Sequence, residues 1–238
     1  MTVISGFLNT TLLDYPGMVA TTVFMGGCNF RCPFCHNADL VINPERKYDE
    51  NEILTFLKKR KGIIDGVCIT GGEPTLQKDL LEFVYRIKNL GLKVKLDTNG
   101  TNPKVVEQLY EGNLIDYVAM DIKNSEENYF LAAGIDDTEA LNVKYNIMKT
   151  ISFLMNSGIE YEFRTTLVKG IHTYNDMDEI GKMIKGAKAY YLQSYKAGDN
   201  IIAKNTNGIN CETFSDEELK EFLKRANMFS NAYLRGVE

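Results

Sequence analysis

A short β-branched apolar run followed by a helix-period segment recurs about six times along this chain, and that alternation restricts the fold more than any other feature. Segments 19–24, 66–70, 93–97, 116–121, 160–167 and 190–195 read as strands. Segment 49–61 reads as a helix with Ile53, Leu54 and Leu57 on one face. A second helix is expected near 79–90, with Leu80, Phe83, Val84 and Ile87 at helical spacing. Pro103 opens a short helix, where its missing N–H costs least, and a long helix at 140–157 stops at Gly158. Ser215 and Glu218 form a capping box at the start of a helical tail. Strand–helix alternation implies a parallel sheet with right-handed crossovers. Six units are too few for the usual eight-fold closed barrel. The expected fold is therefore an α/β, open, partial (β/α)6 TIM-like barrel, with a doubly wound sheet as the alternative. One domain is expected over residues 1–238, with a core at about 15–200 and a C-terminal helical tail at about 213–232.

In either architecture ligands bind at the carboxyl ends of the strands. The unusual polar residues follow the predicted strands: Gly71-Gly72-Glu73, Asp97-Thr98-Asn99-Gly100, Asp121-Ile122-Lys123 and, within the fifth strand, Arg164. A net charge of −5 and a pI near 5.3 argue against a phosphate-reading surface, so no nucleic-acid partner is expected. The basic blocks at Lys58–Lys61 and at Lys182, Lys185 and Lys188 fall in helix-like stretches and read as solvated faces. The chain shows no secretory signal and no run of membrane-spanning length, so a cytoplasmic setting without a membrane partner is expected. Disulfides are disfavoured there, which makes the five cysteines thiols, metal ligands or catalysts before they are bridges.

Three of those cysteines lie within eight residues, in Met25-Gly26-Gly27-Cys28-Asn29-Phe30-Arg31-Cys32-Pro33-Phe34-Cys35-His36-Asn37. Three thiolates at C-x3-C-x2-C on a Gly-started loop can converge on one soft metal site, zinc or iron–sulfur. Structural zinc wants four ligands, and the nearest candidate, His36, directly follows Cys35 and is badly placed to share its metal. A [4Fe–4S] cluster held by three cysteines leaves one iron open to a small molecule. The stretch Cys32–His36 also matches the c-type haem pattern C-x-x-C-H, but that reading leaves Cys28 idle. Cys68, inside a strand, and Cys211, in the tail, lack a C-x-x-C partner and read as packing or surface thiols.

The loop, with an aromatic residue just before its third cysteine, resembles the signature of the radical S-adenosylmethionine (SAM) superfamily. Thr70-Gly71-Gly72-Glu73-Pro74 resembles that family's GGE motif. The resemblance implies a radical SAM core, a [4Fe–4S] cluster on Cys28, Cys32 and Cys35, and a methionine end of the cofactor held at Gly71, Gly72 and Glu73. Within the superfamily, segments 14–17, 27–32, 96–100, 119–123 and 163–166 resemble the activating proteins of glycyl-radical enzymes, in particular those serving anaerobic ribonucleoside-triphosphate reductase. These relatives cleave SAM reductively to methionine and a 5′-deoxyadenosyl radical, which takes a hydrogen atom from a glycine Cα of a partner enzyme. An electron donor of the flavodoxin or ferredoxin type is implied with them.

By the same resemblance Phe34 meets the adenine region, and Asp121 and Lys123 meet the ribose and carboxylate side. Asp97 and Thr98 match positions that bind a monovalent cation in the pyruvate formate-lyase activating relative. Arg164, a guanidinium among apolar residues, suits carboxylate recognition. Each residue also has a plainer reading. Asn99-Gly100 is a strong turn signal, Asp121 and Lys123 can form a simple ion pair, Arg164 can pair with Glu162 or Asp121, and His172 can be an ordinary loop residue. The chain departs from the pyruvate formate-lyase relative at Gln193-Ser194-Tyr195-Lys196, where that protein carries a histidine. Gln193 or Tyr195 is the candidate substitute. Two other functions compete: a radical enzyme acting on a small molecule, of the 7-carboxy-7-deazaguanine synthase type, and a non-enzymatic zinc or iron–sulfur module.

Overall fold

The computed structural model describes residues 2–198, 200–202 and 210–236. Eight strands form one sheet in chain order: β1 (Ile4–Thr11), β2 (Ala20–Met25), β3 (Gly66–Gly71), β4 (Lys93–Thr98), β5 (Tyr117–Asp121), β6 (Glu160–Leu167), β7 (Tyr190–Ser194) and β8 (Ala232–Arg235). Pairing from β2 to β8 is parallel throughout, whereas β1 runs antiparallel to β2 as one edge. The sheet does not close, and the open-barrel expectation holds with its six expected strands present as β2–β7. The edge strands β1 and β8 add to them, so the sheet reaches beyond the expected core on both sides.

The helices are α1 (Ala38–Ile42), α2 (Glu50–Lys59), α3 (Leu80–Lys88), α4 (Pro103–Glu111), α5 (Tyr129–Ala133), α6 (Asp137–Ser157), α7 (Tyr174–Met183) and α8 (Asp216–Ala226). Local chemistry sets their ends. Asp49 caps α2 with Glu52 in a capping box, and Ser215 with Glu218 does the same for α8. Pro103 occupies the first turn of α4, and α6 stops at Gly158 in the left-handed region at φ 84°. None of the described helices is long and apolar enough to cross a membrane.

Strand residues alternate between two environments, as the period of two requires. On β4 and β6, Val94, Leu96, Tyr161 and Phe163 join the apolar core, while Lys95, Asp97, Glu162 and Arg164 line an internal chamber. Buried apolar side chains from α2, α3, α4, α7 and α8 complete that core, among them Leu57, Phe83, Leu109, Ile180 and Phe222. The inner face is thus left polar, and it leads upward to the loops at the carboxyl ends of the strands.

Candidate active site

The loop after β2 carries the three cysteines, and the backbone locks it in place. Gly72 N donates to Met25 O at 2.8 Å and Glu73 N to Gly27 O at 2.8 Å, which ties the loop after β3 against the start of the cysteine loop. A methyl group at position 72 would fall 2.0 Å from the Gly27 carbonyl oxygen, so only glycine permits that approach. Gly71 makes the turn at φ 117°, a conformation L side chains rarely adopt. On the far side of the loop, Arg31 N donates to Ala133 O at 2.8 Å, and Asn29 exchanges side-chain bonds with Asn99 and Thr101 beyond β4. The cysteine loop is therefore bound to both the GGE loop and the DTNG loop.

Cys28, Cys32 and Cys35 line a single cavity of about 270 Å³ at the carboxyl ends of the strands. Burial pushes the Cys28 thiol up to about 11 and the Cys32 thiol up to about 12, so these sulfurs hold their protons until a metal displaces them. Phe30 N–H points at Cys28 Sγ at 3.3 Å, a contact that favours charge on the sulfur. His36 also lines the cavity, but its Nε2 is engaged, donating to Lys196 O at 2.6 Å, and its ring lies against Tyr195. Among the described residues no three His, Cys, Asp or Glu side chains surround one ion position. Three thiols around one cavity, Cys32 buried and Cys28 and Cys35 half-buried, without a fourth protein ligand, fit a three-cysteine cluster with an open iron better than a closed zinc site.

Opposite the thiols stands a ladder of alternating charge. Arg164 bridges two strands, with Nη1 donating to Asp97 Oδ2 at 3.0 Å and Nε to Asp121 Oδ1 at 2.9 Å. Lys123 Nζ donates to the other Asp121 oxygen at 2.9 Å. Lys95 Nζ donates to Asp97 Oδ1, and Thr70 Oγ1 lies 3.3 Å from Asp97 Oδ2. Burial works to raise both carboxyls, but Arg164 and the lysines outweigh it and hold Asp97 and Asp121 below the usual carboxylate range. Arg164 pairs with Asp121, one of the two partners open to it in the sequence. Glu162 instead takes Arg235 of β8 in a bidentate pair at 2.8 and 2.9 Å.

Phe34, Gly71, Gly72, Asp97, Thr98, Asp121, Lys123 and Arg164 all line the cavity with the cysteines. Glu73 does not line it. It is fully buried, its Oε1 accepting from Thr75 N, Thr75 Oγ1 and Thr98 Oγ1 and its Oε2 from Asn99 N at 2.6 Å. Burial raises its carboxyl, and those hydrogen bonds work against the rise. Its place is a strut between the two loops. Of the proposed substitutes for the relative's histidine, Gln193 lines the cavity, whereas Tyr195 is buried against His36.

His172 is more than a loop residue. It is buried, its Nδ1 accepts from Val168 N at 3.1 Å, and its Nε2 donates to Lys123 O at 2.8 Å. Its ring meets Phe34 edge-on at 6.2 Å. One imidazole thus steadies two cavity residues from behind. No sequence pattern announces such a role, because the contact with Lys123 is to its backbone. Asn37 and Thr166 also line the cavity and were likewise missed. Cys68 is buried, with Lys95 Nζ and Asp97 Oδ1 each 3.7 Å from its sulfur, and all five cysteines are unbridged.

A family model described as the radical SAM superfamily matches residues 22–185. The chain belongs to that superfamily, and the protein is an enzyme of this kind. Membership implies a [4Fe–4S] cluster and SAM. A relative from Methanocaldococcus jannaschii, named among the glycyl-radical enzyme activating enzymes, is 36% identical over 202 residues, covering 82% of this chain and 81% of its own. A pyruvate formate-lyase-activating enzyme of Streptococcus mutans is 29% identical over 78% of this chain and 74% of its own. Among solved structures, Streptococcus suis SuiB bound to S-adenosylmethionine shares the fold at a TM-score of 0.67 and 17% identity. The match covers 89% of this chain and 49% of that one, so the chain spans about half of SuiB.

Proposed function

We propose that this enzyme takes a hydrogen atom from a glycine Cα in a partner protein, activating a glycyl-radical enzyme, with anaerobic ribonucleoside-triphosphate reductase as the first candidate. The observation that carries the reading is a second cavity of about 590 Å³ inside the barrel. It shares Asp97, Arg164 and Gln193 with the cavity of the cysteines and is bounded by Leu13, Asp14 and Pro16 on one side and by Arg235 and Gly236 on the other. Its three cations, Lys95, Arg164 and Arg235, are each ion-paired within the protein. None is left over to hold a phosphate, which disfavours a nucleotide and suits an uncharged stretch of backbone such as a glycine loop. Leu13, 90% exposed, lines this cavity and offers apolar contact to a protein partner.

Cys28, Cys32 and Cys35 would hold the cluster. A cluster held there would supply the one-electron reduction by which the sulfonium C–S bond of SAM could be opened for hydrogen abstraction. Asp121, Lys123 and Arg164 supply both signs of charge for a zwitterionic amino-acid group, and backbone at Gly71 and Gly72 is open to close approach. Phe34 presents an apolar ring to the adenine region, held by His172. Glu73 acts through its neighbours, setting the spacing between the GGE and DTNG loops. The expected monovalent cation finds its two positions already engaged: Asp97 by Lys95 and Arg164, and Thr98 by Glu73. A flavodoxin- or ferredoxin-type donor remains the proposed source of the electron.

The small-molecule reading is supported by a relative named S-adenosylmethionine-dependent nucleotide dehydratase, 25% identical over 84% of this chain, and by one named GTP 3',8-cyclase, 31% identical over 61% of it. The two readings part on one experiment. Anaerobically reconstituted, reduced enzyme is mixed with SAM and the reductase, and electron paramagnetic resonance is recorded. A glycyl radical on the reductase is the expected result. Cofactor cleavage with no radical on any glycyl-radical partner would overturn the activase reading.

A further inference from the structure

Asp97 sits where the family resemblance implies a monovalent cation, yet its carboxylate has no lone pair to spare. Oδ1 accepts from Lys95 Nζ and lies 3.7 Å from Cys68 Sγ. Oδ2 accepts from Arg164 Nη1 at 3.0 Å and from Thr70 Oγ1 at 3.3 Å. A carboxylate offers about four acceptor sites, and all four are in use. Thr98 Oγ1 is engaged too, donating to Glu73 at 2.8 Å and accepting from Gly100 N at 3.1 Å. Two protein cations within hydrogen-bond distance of Asp97 would also repel a third.

Lys95 is the unusual member of the group. Only 2% exposed, it lies two residues before Asp97 on the same face of β4, and a buried ammonium persists only when it is paired. Nothing in the proposed chemistry requires a lysine here. Its Nζ has two recorded neighbours, Asp97 and the Cys68 thiol.

We propose that Lys95 is a built-in counter-ion for Asp97, replacing a monovalent metal cation, so that this enzyme binds SAM independently of potassium or sodium. Lys95 is then a positioning residue: it holds Asp97 charged and oriented, and Asp97 in turn orients Arg164 at the junction of the two cavities. The sequence signature of such a site is a lysine two positions before the DTNG aspartate.

The test is the dissociation constant of SAM with the full-length, anaerobically reconstituted protein, measured by calorimetry at one ionic strength in potassium, sodium or tetramethylammonium chloride. The wild-type constants are expected to agree within about twofold. Removing the ammonium in Lys95→Ala vacates a cation-sized site beside Asp97, and binding should then become about tenfold tighter in potassium than in tetramethylammonium. A wild-type loss of about tenfold on replacing potassium would overturn the proposal, and this arm needs no variant to fold. Lys95→Ala binding that is the same in all three salts would overturn it as well. A role confined to stability would change affinity without creating ion selectivity. Binding is read before any substrate is added, so the outcome is separate from whether the substrate is a glycine.

Discussion

The two faces of one strand show how differently this barrel is held together inside and out. On β6, Tyr161, Phe163 and Leu167 point into the apolar core, while Glu162 and Arg164 point into the chamber. The outer residues are stabilised by area removed from water, which is non-directional and roughly additive. The inner residues are held by specific partners: Arg164 by Asp97 and Asp121, and Glu162 by Arg235 and by Tyr117 OH at 3.0 Å. Truncating an outer residue costs in proportion to the cavity it leaves, whereas removing one member of the charge ladder leaves its partner unpaired. The outer face therefore carries more of the stability, and the inner face is the better place to recognise a substrate.

That contrast can be broken at several points. The largest effect belongs to the cavity mouth: Cys32→Ala should take reconstituted iron from about four per chain to near none and abolish methionine release, read by iron assay and chromatography. A variant that keeps both would remove Cys32 from the cluster assignment. Next comes the outer face, where Phe163→Ala should cost about 4 kcal/mol in urea unfolding, because a buried ring leaves a cavity. On the inner face, Arg235→Leu strands the buried Glu162 carboxylate. It should cost about 2 kcal/mol after allowance for the partial exposure of Arg235. The double variant Glu162→Leu/Arg235→Leu should recover more than half of that loss, a non-additivity that well-separated outer-face substitutions should not show.

The smallest effect concerns His172. Burial, partly offset by its bonds to Lys123 and Val168, holds its folded pKa below the ordinary 6.5. The unfolded chain therefore takes up the proton first. Stability conferred by the neutral ring is complete above pH 6.5 and is lost as the pH falls from there toward the lower folded value. His172→Gln, which can still donate to Lys123 O and accept from Val168 N, should flatten that slope. Equal slopes for the two proteins would show that another group titrates there.

The same contrast explains what the sequence discloses. Strands β2–β7 are legible because each carries a short run of apolar, aromatic or β-branched residues, and β4 and β5 run out into the polar groups Asp97, Thr98 and Asp121. The edge strands are not. In β1 the stretch Leu8–Thr10 is exposed, and β8 spans only four residues, so neither shows a full buried face. The five-residue α1 and α5 are too short for a 3.6-residue period to emerge. In α7 the box runs Thr173 to Asp176, with Asp where Glu or Gln is the stronger signal. At the site, motif residues could be read directly, and all but Glu73 reach the cavity. The roles of Glu73, His172 and Lys95 were hidden because they act through partners 25 to 49 positions away or through a neighbour's charge.

The proposed activity draws its hydrogen atom from a glycine in another protein. The direct test is to prepare the partner reductase with Cα-deuterated glycine, react it with reduced enzyme and SAM, and weigh the 5′-deoxyadenosine by mass spectrometry. Deuterium in the 5′-deoxyadenosine, in step with the glycyl radical signal, is the predicted result. Unlabelled 5′-deoxyadenosine from a reaction that still forms the radical product would contradict it.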